Sequence, residues 1–252
     1  MIPPKTFAVE RNLGYQNLIV GGCSFTHNFL KDHIHTWPYY LRDLGGFNCV
    51  YDTSCPGAGN NHIQRSIINC IDENNLSAAN SLVVVMWSGY DRDDFLVDPK
   101  TCNTQDELNN YFYNKQVSLG LTGGLLGDSN LLVSVENIKK IKNHASRALE
   151  NYIAIRSLET FLKAQNFQFA FCEFSTPGHM KDTNFDPVPL LSKNLQKTFS
   201  TLVRTIKPNL GDWALSTIQR NNGDGYHPDA DHHLTWTRNV LLPVLPAINC
   251  IP

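Results

Sequence analysis

Ser81-Leu82-Val83-Val84-Val85-Met86-Trp87 is the stretch on which the fold turns. It carries no charge, and its three central valines are β-branched, which favours extended backbone. Its apolar residues run continuously instead of alternating, so both faces of the strand must be covered, the situation of a central strand in a parallel sheet. Working outward, three more segments read as strands: Gln16 to Gly21, Phe47 to Asp52 and Phe167 to Phe174. Helical patterns lie between and after them. Trp37 to Asp43 has Thr36 as its cap and Gly45-Gly46 as its stop. A helix capped by Asn60 or Asn61 runs to about Asn74, with Ile63, Ile67, Ile68 and Ile71 on one face. A long amphipathic helix is expected from about Val135 to Gln165, another from Pro187 to Ile206, and a closing one from Asp229 to Leu245, ending near Pro243. Alternating strands and helices predict an α/β fold with a mainly parallel sheet.

The 252 residues, 42% of them hydrophobic, suffice for one substantial core, and residues 1–252 read as a single domain. Residues from about 93 to 134, with Pro99 and a glycine-rich run from Gly120 to Gly127, read as an insertion or lid beyond the third strand. A net charge of −2, with scattered basic residues, gives no pull toward nucleic acid or anionic lipid. No apolar run approaches the roughly 20 residues of a membrane span, and the start lacks a signal-peptide pattern. The expected setting is cytoplasmic or virion-associated. Seven cysteines, with no C-x-x-C pair, are expected to be reduced and mostly buried.

Ligands of open parallel sheets bind outside the carboxyl ends of the strands. The loops beginning at Gly22, Ser54, Ser88 and Ser175 fall there. The first holds Gly22-Cys23-Ser24-Phe25-Thr26, and near the other end of the chain stands Asp224-Gly225-Tyr226-His227-Pro228. A serine hydroxyl is a weak nucleophile until a base takes its proton, and an imidazole serves as that base when a third group holds its tautomer. Ser24, His227 and Asp224 supply those residue types. Cys23 is a rival nucleophile, but a neighbour of Ser24 on a strand points the other way. Asp224 has a rival role in turn chemistry within Asn221-Asn222-Gly223-Asp224-Gly225. His232 and His233 lie beside Asp229 and Asp231 without metal-site spacing, so no metal is expected.

In these motifs the chain resembles the SGNH hydrolase superfamily of GDSL-type esterases and lipases. The resemblance implies a three-layer α/β/α sandwich of the flavodoxin-like kind. It also implies Ser24 as nucleophile, His227 as base, Asp224 as its orienting partner, and no cofactor. Ser54-Cys55-Pro56-Gly57-Ala58-Gly59-Asn60 is similar to the second family block, whose glycine N–H joins that of Ser24 in the oxyanion hole. Gly57 fits the register, with Gly59 the alternative. The third block departs from the family: Trp87-Ser88-Gly89-Tyr90-Asp91-Arg92 stands where G-x-N-D is usual, so Tyr90 replaces the oxyanion-donating Asn. Ser88, Tyr90, Asn60 or Asn61 are the substitutes on offer, and Arg92 is a candidate for binding an anionic part of the substrate. This W-S-x-x-D-R version also resembles divergent phage and environmental members. The implied activity is hydrolysis of a carboxylic ester, on a small molecule or on a glycan O-acetyl group. The altered block also leaves open a binding or structural module that keeps the fold and has lost efficient chemistry, such as a phage particle component contacting host glycans.

Overall fold

A computed structural model describes residues 7–27, 36–89, 92–96, 116–120, 144–173, 193, 205–217 and 227–246. Strands β1 (Asn17–Gly21), β2 (Cys49–Asp52), β3 (Ser81–Trp87), β6 (Gln168–Glu173) and β7 (Thr205–Ile206) form one sheet in the order β2-β1-β3-β6-β7. Every pairing in it is parallel. Strands β4 (Arg92–Leu96) and β5 (Gln116–Gly120) make a separate antiparallel pair. The α/β class and the parallel sheet are therefore as expected from the sequence. All seven residues of β3 are buried, as its unbroken apolar run requires of a strand covered on both faces.

The helices are α1 (Trp37–Gly45), α2 (Asn60–Glu73), α3 (His144–Ala164), α4 (Leu210–Thr217), α5 (Ala230–Trp236) and α6 (Leu242–Val244). A π-helical segment, Thr237–Leu241, joins α5 to α6. Helices α2 and α3 pack together, while α1 packs against α5 and the segment after it. Ile63 and Ile67 of α2 press so closely on β1 that a Cβ at Gly21 would meet both at 3.0–3.2 Å. Ile155, Leu158 and Leu162 form the buried stripe of α3. Trp37 and Trp236 meet edge to face, centroids 6.3 Å apart, where α1 joins α5. None of the described helices is long and apolar enough to cross a membrane.

Several boundaries differ from the sequence reading. The residue capping α2 is Gly59, and Asn60 is already helical, its side chain engaged elsewhere. Thr36 does stand at the start of α1, yet its hydroxyl donates to the Thr26 carbonyl (2.8 Å) instead of capping the helix. The Trp37 N–H finds His233 Nδ1 instead, at 3.3 Å. The helix expected over Pro187 to Ile206 is corrected at its end, where Thr205–Ile206 extends the sheet beside β6. Of the stretch read as an insertion or lid, the described parts are β5 and most of β4, which lies near α2.

In this sheet β2 lies on one side of β1 and β3 on the other, so the chain leaves β1 toward one edge and later returns toward the opposite one. The loops after β1 and β3 therefore run to opposite sides, and in open parallel sheets ligands bind outside the carboxyl ends of the strands at such a point. Ser24 follows β1, and Ser88 follows β3.

Candidate active site

The turn after β1 is shaped by a close approach. A Cβ on Gly22 would fall 2.0 Å from Thr26 Oγ1 and 2.6 Å from Thr26 Cβ, so only glycine lets the chain double back here. The Thr26 and His27 N–H groups both bond to the Cys23 carbonyl, at 2.9 and 3.0 Å. This one helical turn leaves Ser24 half-buried and Cys23 fully buried in the core. Thr26 is gripped from the α1 side: its hydroxyl accepts from Trp37 Nε1 at 3.2 Å, while its carbonyl accepts from Thr36.

His227, 203 residues further on, brings its Nε2 to 2.9 Å from Ser24 Oγ. Its ring rests against Phe25, centroids 5.1 Å apart. Pro228 and Asp229 follow, and Asp229 caps α5 by accepting from the His232 N–H (3.0 Å) and from His232 Nδ1 (2.6 Å). His233 is wholly buried, and burial pushes its pKa down to about 3. Asp229 opposes that shift, while His232 and His227 reinforce it. His233 is therefore neutral, and its Nδ1 is free of a proton to accept from the Trp37 N–H.

Gly57 lies in a tight turn after β2. Pro56 and Gly57 are its central residues, the Ala58 N–H closes it on the Cys55 carbonyl (3.0 Å), and Gly57 has φ of 77°. Pro followed by a residue of positive φ is the pattern of a type II turn, which favours glycine at the second centre. The Gly57 N–H takes no part in the turn's own hydrogen bond. Gly59, with φ of −88° and ψ of 173°, is extended and caps α2. The Cys55 N–H bonds to the Gly22 carbonyl at 3.1 Å, which seats this loop against the Ser24 turn.

Asn60 behaves differently from the sequence reading. Its Nδ2 donates to the Ser88 carbonyl (3.1 Å) and to Asn151 Oδ1 (2.6 Å), while its Oδ1 accepts from the Ser88 N–H (2.7 Å). An amide has two N–H donors, and both are spent on scaffold, so Asn60 has none left for an oxyanion. Ser88 is held by its backbone just past the end of β3, and its buried Oγ has no hydrogen-bond partner among the described residues. Asp224 and Tyr90 lie outside the described residues, and Arg92 is described only as the first residue of β4. Among the described residues no group of His, Cys, Asp or Glu could hold a metal ion.

Sequence reasoning overlooked one cluster beside this site. Asp52, at the end of β2, accepts from the backbone N–H (2.9 Å) and the hydroxyl of Ser54, and the Ser54 carbonyl faces His27 Nδ1 at 3.0 Å. The Asp-Thr-Ser spacing carries a weak local signal, since Asp commonly bonds the backbone two residues on. Nothing local announces the partnership with His27.

No protein-family model matches this chain, and no curated protein does. Among solved structures it is similar to the crystal structure of a "putative acylhydrolase" from Bacteroides fragilis, at 13% identity. The match covers 93% of this chain and 86% of the other, with a TM-score of 0.43.

Proposed function

We propose that this chain is a serine esterase of the SGNH type, hydrolysing a carboxylic ester through Ser24 and His227. The observation that carries the proposal is the 2.9 Å approach of His227 Nε2 to Ser24 Oγ, between side chains on opposite ends of the sequence. A hydroxyl hydrogen-bonded to imidazole is poised to lose its proton as it attacks a carbonyl. In the proposed cycle Ser24 Oγ attacks the ester carbon, and His227 takes the hydroxyl proton and returns it to the departing alcohol. Water, activated by the same imidazole, then releases the acid. Asp224, three residues before His227, is assigned the carboxylate that orients the ring and steadies the imidazolium.

The developing oxyanion needs donors aimed at it, and each one removed costs about 10²–10³ in turnover in well-studied cases. The Ser24 and Gly57 N–H groups are two of them, with Gly59 the alternative to Gly57. Ser88 Oγ is the third: it is a hydroxyl without a hydrogen-bond partner among the described residues, just past the end of the strand adjacent to β1, whereas the Asn60 amide is spent. Tyr90 and Arg92 are assigned to the substrate side, Arg92 as the group for an anionic portion. The substrate class is a small-molecule or glycan ester, O-acetyl sugars foremost, and the chemistry calls for no cofactor.

The test is turnover of p-nitrophenyl acetate and labelling by a fluorophosphonate, in the wild type and in Ser24→Ala. Both should be present in the first and absent in the second. Wild-type protein that neither turns over the ester nor takes the label would replace the esterase by a binding module on the same fold.

A further inference from the structure

The esterase chemistry leaves unused a chain of polar groups that runs beside the nucleophile. His27 is three residues after Ser24 on the same helical turn. A carbonyl only accepts, so His27 Nδ1 carries the proton in its 3.0 Å bond to the Ser54 carbonyl, and Ser54 Oγ lies 3.4 Å from the same nitrogen. The Ser54 hydroxyl donates onward to Asp52, whose carboxylate also takes the Ser54 N–H. Every donor in the chain therefore points the same way, from His27 through Ser54 to Asp52. Burial raises the Asp52 pKa, against the Ser54 hydrogen bonds and the nearby His27, which lower it. A closely surrounded carboxyl is costly to leave unpaired, which helps hold Ser54 in place.

His27 and Ser54 belong to the two halves of the proposed site. His27 shares its turn with Ser24, and Ser54 opens the loop that carries Gly57. The Ser24 turn is also held from α1, by Trp37 and Thr36 through Thr26. We infer that the His27–Ser54–Asp52 chain is a positioning device that fixes the Gly57 turn against the Ser24 turn. This rests on the esterase reading for its consequence in turnover, though not for the bridge itself. His27 is a positioning residue, since its bond is to the loop carrying the oxyanion donor.

The test compares the wild type, His27→Ala and His27→Asn by amide hydrogen exchange over residues 52–60 and by p-nitrophenyl acetate kinetics. Asn keeps an N–H donor near the position of Nδ1; Ala removes it. In His27→Ala the amides of the Gly57 turn should exchange about tenfold faster. Its kcat should fall about tenfold to a hundredfold with KM little changed, the effect of a donor displaced by a fraction of an ångström. His27→Asn should recover most of both. Unchanged exchange in His27→Ala overturns the bridge, and faster exchange with unchanged kcat overturns its positioning role. If the wild type shows no Ser24-dependent turnover, the esterase reading fails while the exchange comparison still decides the bridge.

Discussion

The side-chain amide of Asn60 and the backbone of Ser88 exchange two hydrogen bonds, one in each direction, at 3.1 and 2.7 Å. The pair fastens the first turn of α2 to the end of β3, and the remaining N–H of Asn60 reaches Asn151 on α3. Asn60→Asp keeps the shape and removes both donors, setting a buried carboxylate against the Ser88 carbonyl and Asn151 Oδ1. Leaving a buried charge uncompensated costs about 3–5 kcal/mol. Urea unfolding at pH 7 should therefore show a loss of about 3 kcal/mol or more. A loss under about 0.5 kcal/mol, the level of ordinary surface substitutions, would mean that the clamp is not a stabilising feature.

Ser24 and His227 touch through one hydrogen bond and should act as a unit. Ser24→Ala and His227→Gln should each fold with little change in stability and each lose turnover by about 10³-fold or more. The double variant should be no worse than the poorer single one, because a nucleophile without its base and a base without its nucleophile fail at the same step. Losses that multiply in the double variant would show that the two side chains contribute independently, and the paired mechanism would have to be abandoned.

Ser88 should separate stability from activity. Its Oγ is buried without a partner among the described residues, so Ser88→Ala should leave stability unchanged or raise it by up to about 1 kcal/mol. The same change deletes the proposed third oxyanion donor and should lower kcat about 10²-fold or more, with KM nearly unchanged. Thermal unfolding and ester kinetics on one preparation check both halves. Full activity in the alanine variant would remove Ser88 from the oxyanion hole.

The fold was legible wherever a local pattern and its tertiary context agreed. The apolar run of β3 announced burial on both faces, and the isoleucines of α2 announced the face that meets β1. Ser24 and His227 stood out in the sequence as residue types of one chemistry on short loops, and the fold brings their side chains to 2.9 Å. The part that escaped depends on long-range partners. Asn60 looked like a helix cap, since caps favour Asn, but its amide meets groups 28 and 91 residues away. Thr36 likewise gave up its capping role to Thr26. Strand β7 is two residues long, too short to carry an alternation pattern, and among the described residues it pairs only with β6. The His27–Ser54–Asp52 chain spans two loops, and only its Asp-Thr-Ser portion has a local signature.

His233 gives the protein a built-in sensitivity to acid. Its folded-state pKa of about 3 lies below the ordinary value of 6.5, chiefly because burial penalises the imidazolium. Protonation would also place a donor on Nδ1 opposite the Trp37 N–H. Between those two values the unfolded chain holds a proton on this residue that the folded chain does not, so stability falls as pH drops through the window. The slope from one such group is at most about 1.4 kcal/mol per pH unit. His233→Asn offers an amide oxygen as acceptor for Trp37 and has no titration there. It should cost a roughly constant amount of stability above pH 7, through the space it leaves. As pH falls from 6.5 toward 4, the wild type should lose its advantage while the variant shows the shallower decline. Denaturant unfolding of both proteins at half-unit intervals across that range would measure the difference. A gap independent of pH would mean that His233 is protonated in the folded state as readily as in the unfolded chain.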